Sequence, residues 1–245
     1  MNNYYTTMLM NDGFGAQYQK IIQTYIYCKL HNIHFAYTKL QFVEHNYNND
    51  TEYMNKLEVV MNLKDNIINA NENMNCIRLD FGTIVRNYFE KNIDMCCNST
   101  YMNYIKKCFW NNKDKNYFNN NRFNIAVHIR RDNKDDKGQA GHRITTPNSY
   151  YLEIMNKLRQ KYNNKNILFH IYSQGYLYNF NELICNDVLF HLNEDIVETF
   201  IGMVSANVLI ISPSSFSYVA GLLSDGEVYY KRFWHNPKSN WIIYH

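Results

Sequence analysis

The sequence predicts an α/β chain built as two small doubly wound halves, and three observations predict it. Short apolar runs alternate with amphipathic stretches of ten to sixteen residues at helical spacing. The run at 208–211 is continuously apolar, as in a parallel strand covered on both faces. Several strand candidates end in loops rich in Gly, Ser or charged residues that lead into a helix, the pattern of a β-loop-α unit.

In chain order, residues 5–10 read as a strand and Asp12-Gly13-Phe14-Gly15 as its loop. Tyr18, Ile21, Ile22, Tyr25 and Ile26 keep helical spacing through 16–30, and 33–37 supplies the next strand. The stretch 46–121 is polar and Asn-rich, with helical patterning at 53–63, 83–91 and 99–110. Residues 111–121 hold almost nothing that can be buried and mark a linker, which sets two domains at 1–121 and 122–245. Beyond it, 123–129 is a strand with Ile125, Val127 and Ile129 on one face, followed by a charged loop over 130–143. A helix over 149–161, a strand over 167–172, a helix over 195–206 and the strand at 208–211 come next. The serine loop 212–215, a helix over 216–223 and a strand over 227–230 complete the alternation.

The 245 residues suffice for one large domain or two compact ones, and 46% hydrophobic with 19% charged residues is a globular composition. A net charge of +3 suits an anionic ligand but is too small to imply nucleic acid. Basic and aromatic residues do interleave around Lys106, Lys107, Phe109, Trp110, Lys113 and Lys115. An amphipathic helix with a solvated tail explains that segment equally well, so no nucleic-acid partner is expected. No segment has the run of apolar residues a membrane helix needs, and the start lacks a basic n-region and an apolar h-region. These absences point to a cytoplasmic protein without a membrane span, and to a viral or microbial form. The six cysteines form no CxxC pair and read as free thiols, while the nine histidines form no HExxH, so no metal is expected.

In open parallel sheets ligands bind beyond the carboxyl ends of the strands, which directs attention to four loops. Asp12-Gly13-Phe14-Gly15 opens a helix and lets backbone N–H groups approach a ligand, although a plain turn reads the same way. His128 and Arg130 end a strand and point the same way. Arg130 suits a phosphate through its planar fork, or else pairs with Asp132, Asp135 or Asp136. The loop from Ser212 to Ser217 carries four serines in six positions at a helix start, more than one N-cap needs, and reads as an anion cradle. Ser173-Gln174-Gly175 completes the set.

Together these loops resemble the signature of the GDP-fucose-dependent fucosyltransferases that share an HxRxxD-type motif, which include α-1,2-, α-1,6- and protein O-fucosyltransferases. The resemblance is carried by GFGAQYQ (13–19), VHIRRDN (127–133), HRITTPNSYY (142–151), IYSQG (171–175) and ETFIGMVSANVLIISPSSFSYVAGLLS (198–224), in the family's order. It implies a GT-B-like fold of two Rossmann-like domains, with an acceptor-side N-terminal half and a nucleotide-sugar-binding C-terminal half. The implied reaction is an inverting, metal-independent transfer of fucose from GDP-fucose, the only co-substrate expected, to a glycan or protein hydroxyl.

On that resemblance Arg130 and His128 are the catalytic candidates, Arg130 stabilising the GDP leaving group and His128 touching the donor or acting as base. Gly13, Phe14, Gly15, Gln17, Arg131, Ser173, Glu198, Ser214, Ser215 and Phe216 are the donor-binding candidates. Three positions depart from the family pattern: Asp132 replaces a Gly, Asn133 replaces the Asp, and Ala16 replaces an Asn. A different nucleotide sugar on the same fold, or a binding protein that has lost turnover, are the alternatives these departures leave.

Overall fold

A computed structural model of the chain describes residues 3–7, 11–46, 49–131 and 145–245. The departures at Asp132 and Asn133, the carboxylates Asp135 and Asp136, and His142 lie outside the described residues. The chain forms two compact units. One takes the chain up to Asp114 together with Trp234–Ser239, and the other comprises Lys115–Phe233 with Asn240–His245.

The second unit is organised by a six-stranded, all-parallel sheet. Its strands are β3 (Phe123–Ile129), β4 (Ile167–Ser173), β5 (Val188–Leu192), β6 (Val208–Ile210), β7 (Glu227–Tyr230) and β8 (Ile242–Ile243). They lie in the order β5-β4-β3-β6-β7-β8. Counted from β3 as strand 1, that is the order 3-2-1-4-5-6 of dinucleotide-binding sheets, and its direction of winding reverses between β3 and β6.

Helices cover both faces. Ile125, Val127 and Ile129 of β3 join Phe169, Ile171, Val208 and Ile210 in one apolar core with Tyr151, Ile154, Met155 and Leu158 of α6 (Asn148–Lys161). The opposite face carries His128, His170 and Tyr172 against α7 (Ile196–Ser205) and α8 (Ser215–Leu223). At Gly202 in α7 a Cβ would fall 2.1 Å from the Tyr172 hydroxyl, so only glycine lets the helix sit this close.

The first unit is also α/β, on a smaller scale. β1 (Asn3–Thr7) pairs in parallel with β2 (Asn75–Leu79). The expected strand at 33–37 takes the form of single parallel bridges, Tyr5 to Phe35 and Tyr37 to Asn69. Helix α1 (Phe14–Leu30) buries Tyr18, Ile21, Ile22 and Ile26, the residues whose spacing predicts it. Around it stand α2 (Tyr53–Met61), α3 (Asn87–Lys91), α4 (Ile93–Cys97) and α5 (Thr100–Trp110). The helix expected over 83–91 starts instead as a π-helical turn, Phe81–Arg86, capped by Asp80, whose carboxylate accepts the Thr83 N–H at 3.0 Å.

All six cysteines are free, and four are buried. Burial pushes the Cys28 and Cys97 thiols up to about 12, so they pack as small apolar groups and not as nucleophiles. Among the described residues no helix is long and apolar enough to cross a membrane.

One prediction follows from close backbone packing at the start of β7. A Cβ on Gly226 would lie 2.5 Å from the Ala206 carbonyl and 2.7 Å from that of Asn207, and backbone cannot swing aside. Gly226→Ala should therefore cost about 1–3 kcal/mol in denaturant unfolding. Gly82→Ala, whose nearest neighbour is a side-chain oxygen at 3.6 Å, should be close to neutral.

Candidate functional site

The switch between β3 and β6 creates a crevice at the carboxyl ends of the two strands, and the residues emerging there are His128 to Arg131 and Ile211 to Ser215. Parallel pairing of Val127 with Ile210 fixes them side by side. The two loops are then tied by hydrogen bonds. Ser212 Oγ lies 2.8 Å from His128 Nδ1 and accepts the Arg130 backbone N–H at 3.2 Å.

His128 is buried at 7% exposure, with its ring edge-on to Phe216 at 5.6 Å. Burial first, and the Arg130 guanidinium second, push its pKa down to about 3. The imidazole is therefore neutral throughout the physiological range. A base so weak holds little driving force to take a proton from a hydroxyl near neutrality. Arg130 is half-buried, and its Nη1 reaches Gln174 Oε1 at 3.5 Å.

Helix α8 begins beside this pair. Ser214 caps it, accepting the Phe216 N–H at 3.3 Å, while Ser217 Oγ donates back to the Ser212 carbonyl at 3.2 Å. Helix α8 thus starts just beyond the carboxyl end of β6, beside the end of β3 that carries Arg130. A guanidinium and a helix N-terminus together favour a negatively charged group.

The remaining candidates divide. Ser173 ends β4 opposite Ile129 and donates its hydroxyl to the Ile129 carbonyl at 2.6 Å, so it joins the two strands beneath Arg130. Arg131 points to the other side of the strand. It bonds the Thr146 carbonyl at 3.0 Å and Asn148, and lies over the Phe180 ring at 5.1 Å, which ties β3 to the start of α6. Glu198 is exposed in the first turn of α7 and accepts the Tyr117 hydroxyl at 2.9 Å. Phe200, one turn above Asp195, touches Phe216 at 5.4 Å.

Gly13, Phe14, Gly15 and Gln17 belong to the first unit. Phe14, Gly15 and Gln17 are interior, and only Gly13 is partly exposed. The Gln17 amide donates to the carbonyls of Asp12 at 2.9 Å and Phe42 at 2.6 Å, bracing the loop from within. A Cβ on Gly13 would meet the His45 ring at 2.8 Å, so His45 packs directly on the helix start. Sequence reading passed over Ser212 as one serine among four and Gln174 as a weak loop residue. The signal for Ser212 was its place as the first polar residue after a continuously apolar strand. Among the described residues no group of three or more His, Cys, Asp or Glu side chains is placed to hold a metal ion.

A sheet of this order with an arginine and a helix start at its switch point is a Rossmann-type domain, the class that binds nucleotides beyond its strand ends. The model of glycosyl transferase family 11 matches residues 103–234, more than half of the chain and most of the second unit. The chain belongs to glycosyl transferase family 11 and is a glycosyltransferase. No curated protein sequence matches it. Its structure is similar to that of POFUT1 crystallised in complex with GDP, at a TM-score of 0.49 and 12% identity over 92% of this chain and 95% of that one. It is also similar to the NodZ α-1,6-fucosyltransferase soaked with GDP-fucose, at a TM-score of 0.43 and 10% identity over 91% and 93% of the two chains.

A second buried histidine extends the electrostatics of this face. His170 is held between Asn124 Oδ1 and His191 Nε2, each at 3.0 Å, and His191 Nδ1 meets Glu194 at 2.9 Å. Burial, reinforced by His191 and Arg122, pushes the His170 pKa down to about 4. The unfolded chain, with histidine near 6.5, then binds more protons than the folded one as pH falls. The stabilisation from a neutral His170 is complete above about pH 6.5 and drains away towards pH 4, by up to about 1.4 kcal/mol per pH unit. Denaturant unfolding of the protein and of His170→Gln across that window should show a steeper acid loss in the native sequence. Parallel curves would contradict the assignment.

Proposed function

We propose that the protein is an inverting, metal-independent fucosyltransferase that moves fucose from GDP-fucose to a hydroxyl of a glycan or protein. Family membership makes glycosyl transfer the reaction class. The single observation that carries the donor reading is the convergence of Arg130 and the α8 N-terminus on the β3–β6 switch point. The motifs that resemble the GDP-fucose-dependent enzymes, VHIRRDN and the segment 198–224, are the ones that build this convergence.

In this reading the β-phosphate of the donor sits against the Arg130 guanidinium and the first-turn N–H groups of α8, with Ser214, Ser215 and Phe216 forming the cradle. As the glycosidic bond breaks, negative charge develops on the departing diphosphate. A fixed guanidinium and aligned N–H groups stabilise that charge more than they stabilise the ground state, and this lowers the barrier. Arg130 and the helix start supply here the charge compensation that a divalent cation supplies in other nucleotide-sugar enzymes. His128 contributes as a neutral, held group.

The second unit, 122–245 in the sequence-based division, is the donor-binding half, and the first unit serves the acceptor. Glu198, exposed on α7 of the same unit, is the candidate contact for the guanine or ribose. Gly13 offers its backbone at a loop that Phe14, Gly15, Gln17 and His45 brace. Arg131 and Ser173 hold the loop geometry around Arg130, and their contribution to donor binding runs through it.

Thermal unfolding with GDP, UDP, ADP and GDP-fucose tests the donor. Saturation at 100 times the dissociation constant should add about 2.7 kcal/mol to the folded state with the guanine nucleotides. Arg130→Ala should abolish that gain, and Arg130→Lys should restore only part of it, since an ammonium lacks the planar fork. Hydrolysis of GDP-fucose, or transfer from it to a glycan panel, separates a working transferase from a binding protein. No response to any guanine nucleotide would overturn the donor assignment.

A further inference from the structure

Ser212 is 1% exposed and joins everything that meets at the switch point. Its hydroxyl faces His128 Nδ1 at 2.8 Å and accepts the Arg130 N–H at 3.2 Å. Its carbonyl accepts the Ser214 N–H at 2.7 Å and the Ser217 hydroxyl at 3.2 Å. One residue is therefore bonded both to the strand end that carries Arg130 and to the first turn of α8.

A serine hydroxyl has one proton to give. With the Arg130 N–H already donating to Oγ, that proton is free to point at Nδ1, which leaves the imidazole proton on Nε2. The Tyr151 hydroxyl, buried beside Ser212 and Thr146, is the other group at Oγ; it can give its own proton to the second Oγ lone pair, which keeps the Ser212 proton for Nδ1. The Phe216 ring, edge-on to the imidazole, limits rotation of His128.

We infer that Ser212 is a positioning residue for the transfer reaction: its hydroxyl fixes His128 as the Nε2–H tautomer and sets the Arg130 backbone against the α8 N-terminus. The inference rests on the donor reading above. It assigns His128 a donor N–H towards the crevice, suited to an anionic or hydroxyl oxygen, where a lone pair would repel one. Without the Ser212 hydroxyl, the Arg130 N–H and the imidazole both lose their partner, and the guanidinium is no longer carried on a fixed backbone.

The test has two arms on the full-length protein. Two-bond 15N–1H correlation spectra of histidine-labelled protein report the tautomer directly, with His128→Gln used to identify the resonance by difference. The expected result is a lone-pair Nδ1 and a protonated Nε2 in the native protein, lost in Ser212→Ala and kept in Ser212→Thr. In the second arm Ser212→Ala should raise the GDP dissociation constant about tenfold by calorimetry, with Ser212→Thr close to native. A protonated Nδ1 in the native protein, or an unchanged GDP affinity alongside a lowered unfolding midpoint, overturns the inference. Failure of the native protein to bind GDP defeats the donor reading instead, and the tautomer spectrum still decides what Ser212 does.

Discussion

The parallel pairing of β3 with β6 is the constraint on which the second unit depends. The two strands are far apart in sequence, and between them the chain winds outwards through β4 and β5 before it returns to the other side of β3. Because the pairing aligns Val127 with Ile210, the polar residues that end each strand emerge together. An imidazole and a half-buried guanidinium are expensive at the end of an apolar strand unless something pairs them. The loop after β6 supplies a partner for the imidazole in Ser212, and the loop after β4 supplies Gln174 to the guanidinium. Polar groups within the fold thus satisfy one another where the ends of β3 and β6 meet.

Much of this was legible in the sequence, and the reason is period. The strands at 123–129 and 227–230 fall where the apolar pattern puts them, and α1, α5, α6, α7 and α8 differ from expectation only at their ends. What was not legible follows from short length or exposure. β5 is an edge strand with Leu189 exposed and His191 facing the imidazole chain, so its pattern carries no clean alternation. β8 has two residues. β2 has no buried position, and the strand near 33–37 is reduced to bridges, so neither imposes apolar alternation. The site divided in the same way. Residue type and position marked Arg130 and the serine loop, whereas the separate tasks of Arg131, Ser173 and Gln17 depend on hydrogen bonds that no spacing reveals.

The buried histidines of the second unit, His128 and His170, lie on one face of the sheet. The α6 side is aliphatic and aromatic, while the α7–α8 side carries His128, His170, Tyr172 and their partners. A purely apolar core can slide between packings of similar volume, whereas a hydrogen-bonded face fixes one register. That division places mechanical precision on the face that continues into the crevice. The close approach of Gly202 to Tyr172 serves the same end, since it lets α7 come up against the hydroxyl end of that side chain.

The segment Trp234–Ser239 has a consequence for the order in which the chain acquires its shape. It follows almost the whole second unit in sequence yet belongs to the first. There His235 and Asn236 both bond the Glu90 carboxylate, and the Ser239 N–H donates to Asp94. On a ribosome, which releases the chain from its amino end, the first unit stays incomplete through the synthesis of nearly all of the second. Glu90, only 13% exposed at its side chain, waits for a histidine encoded 145 positions later. A message truncated before that codon would leave both units short of residues, not merely the last one.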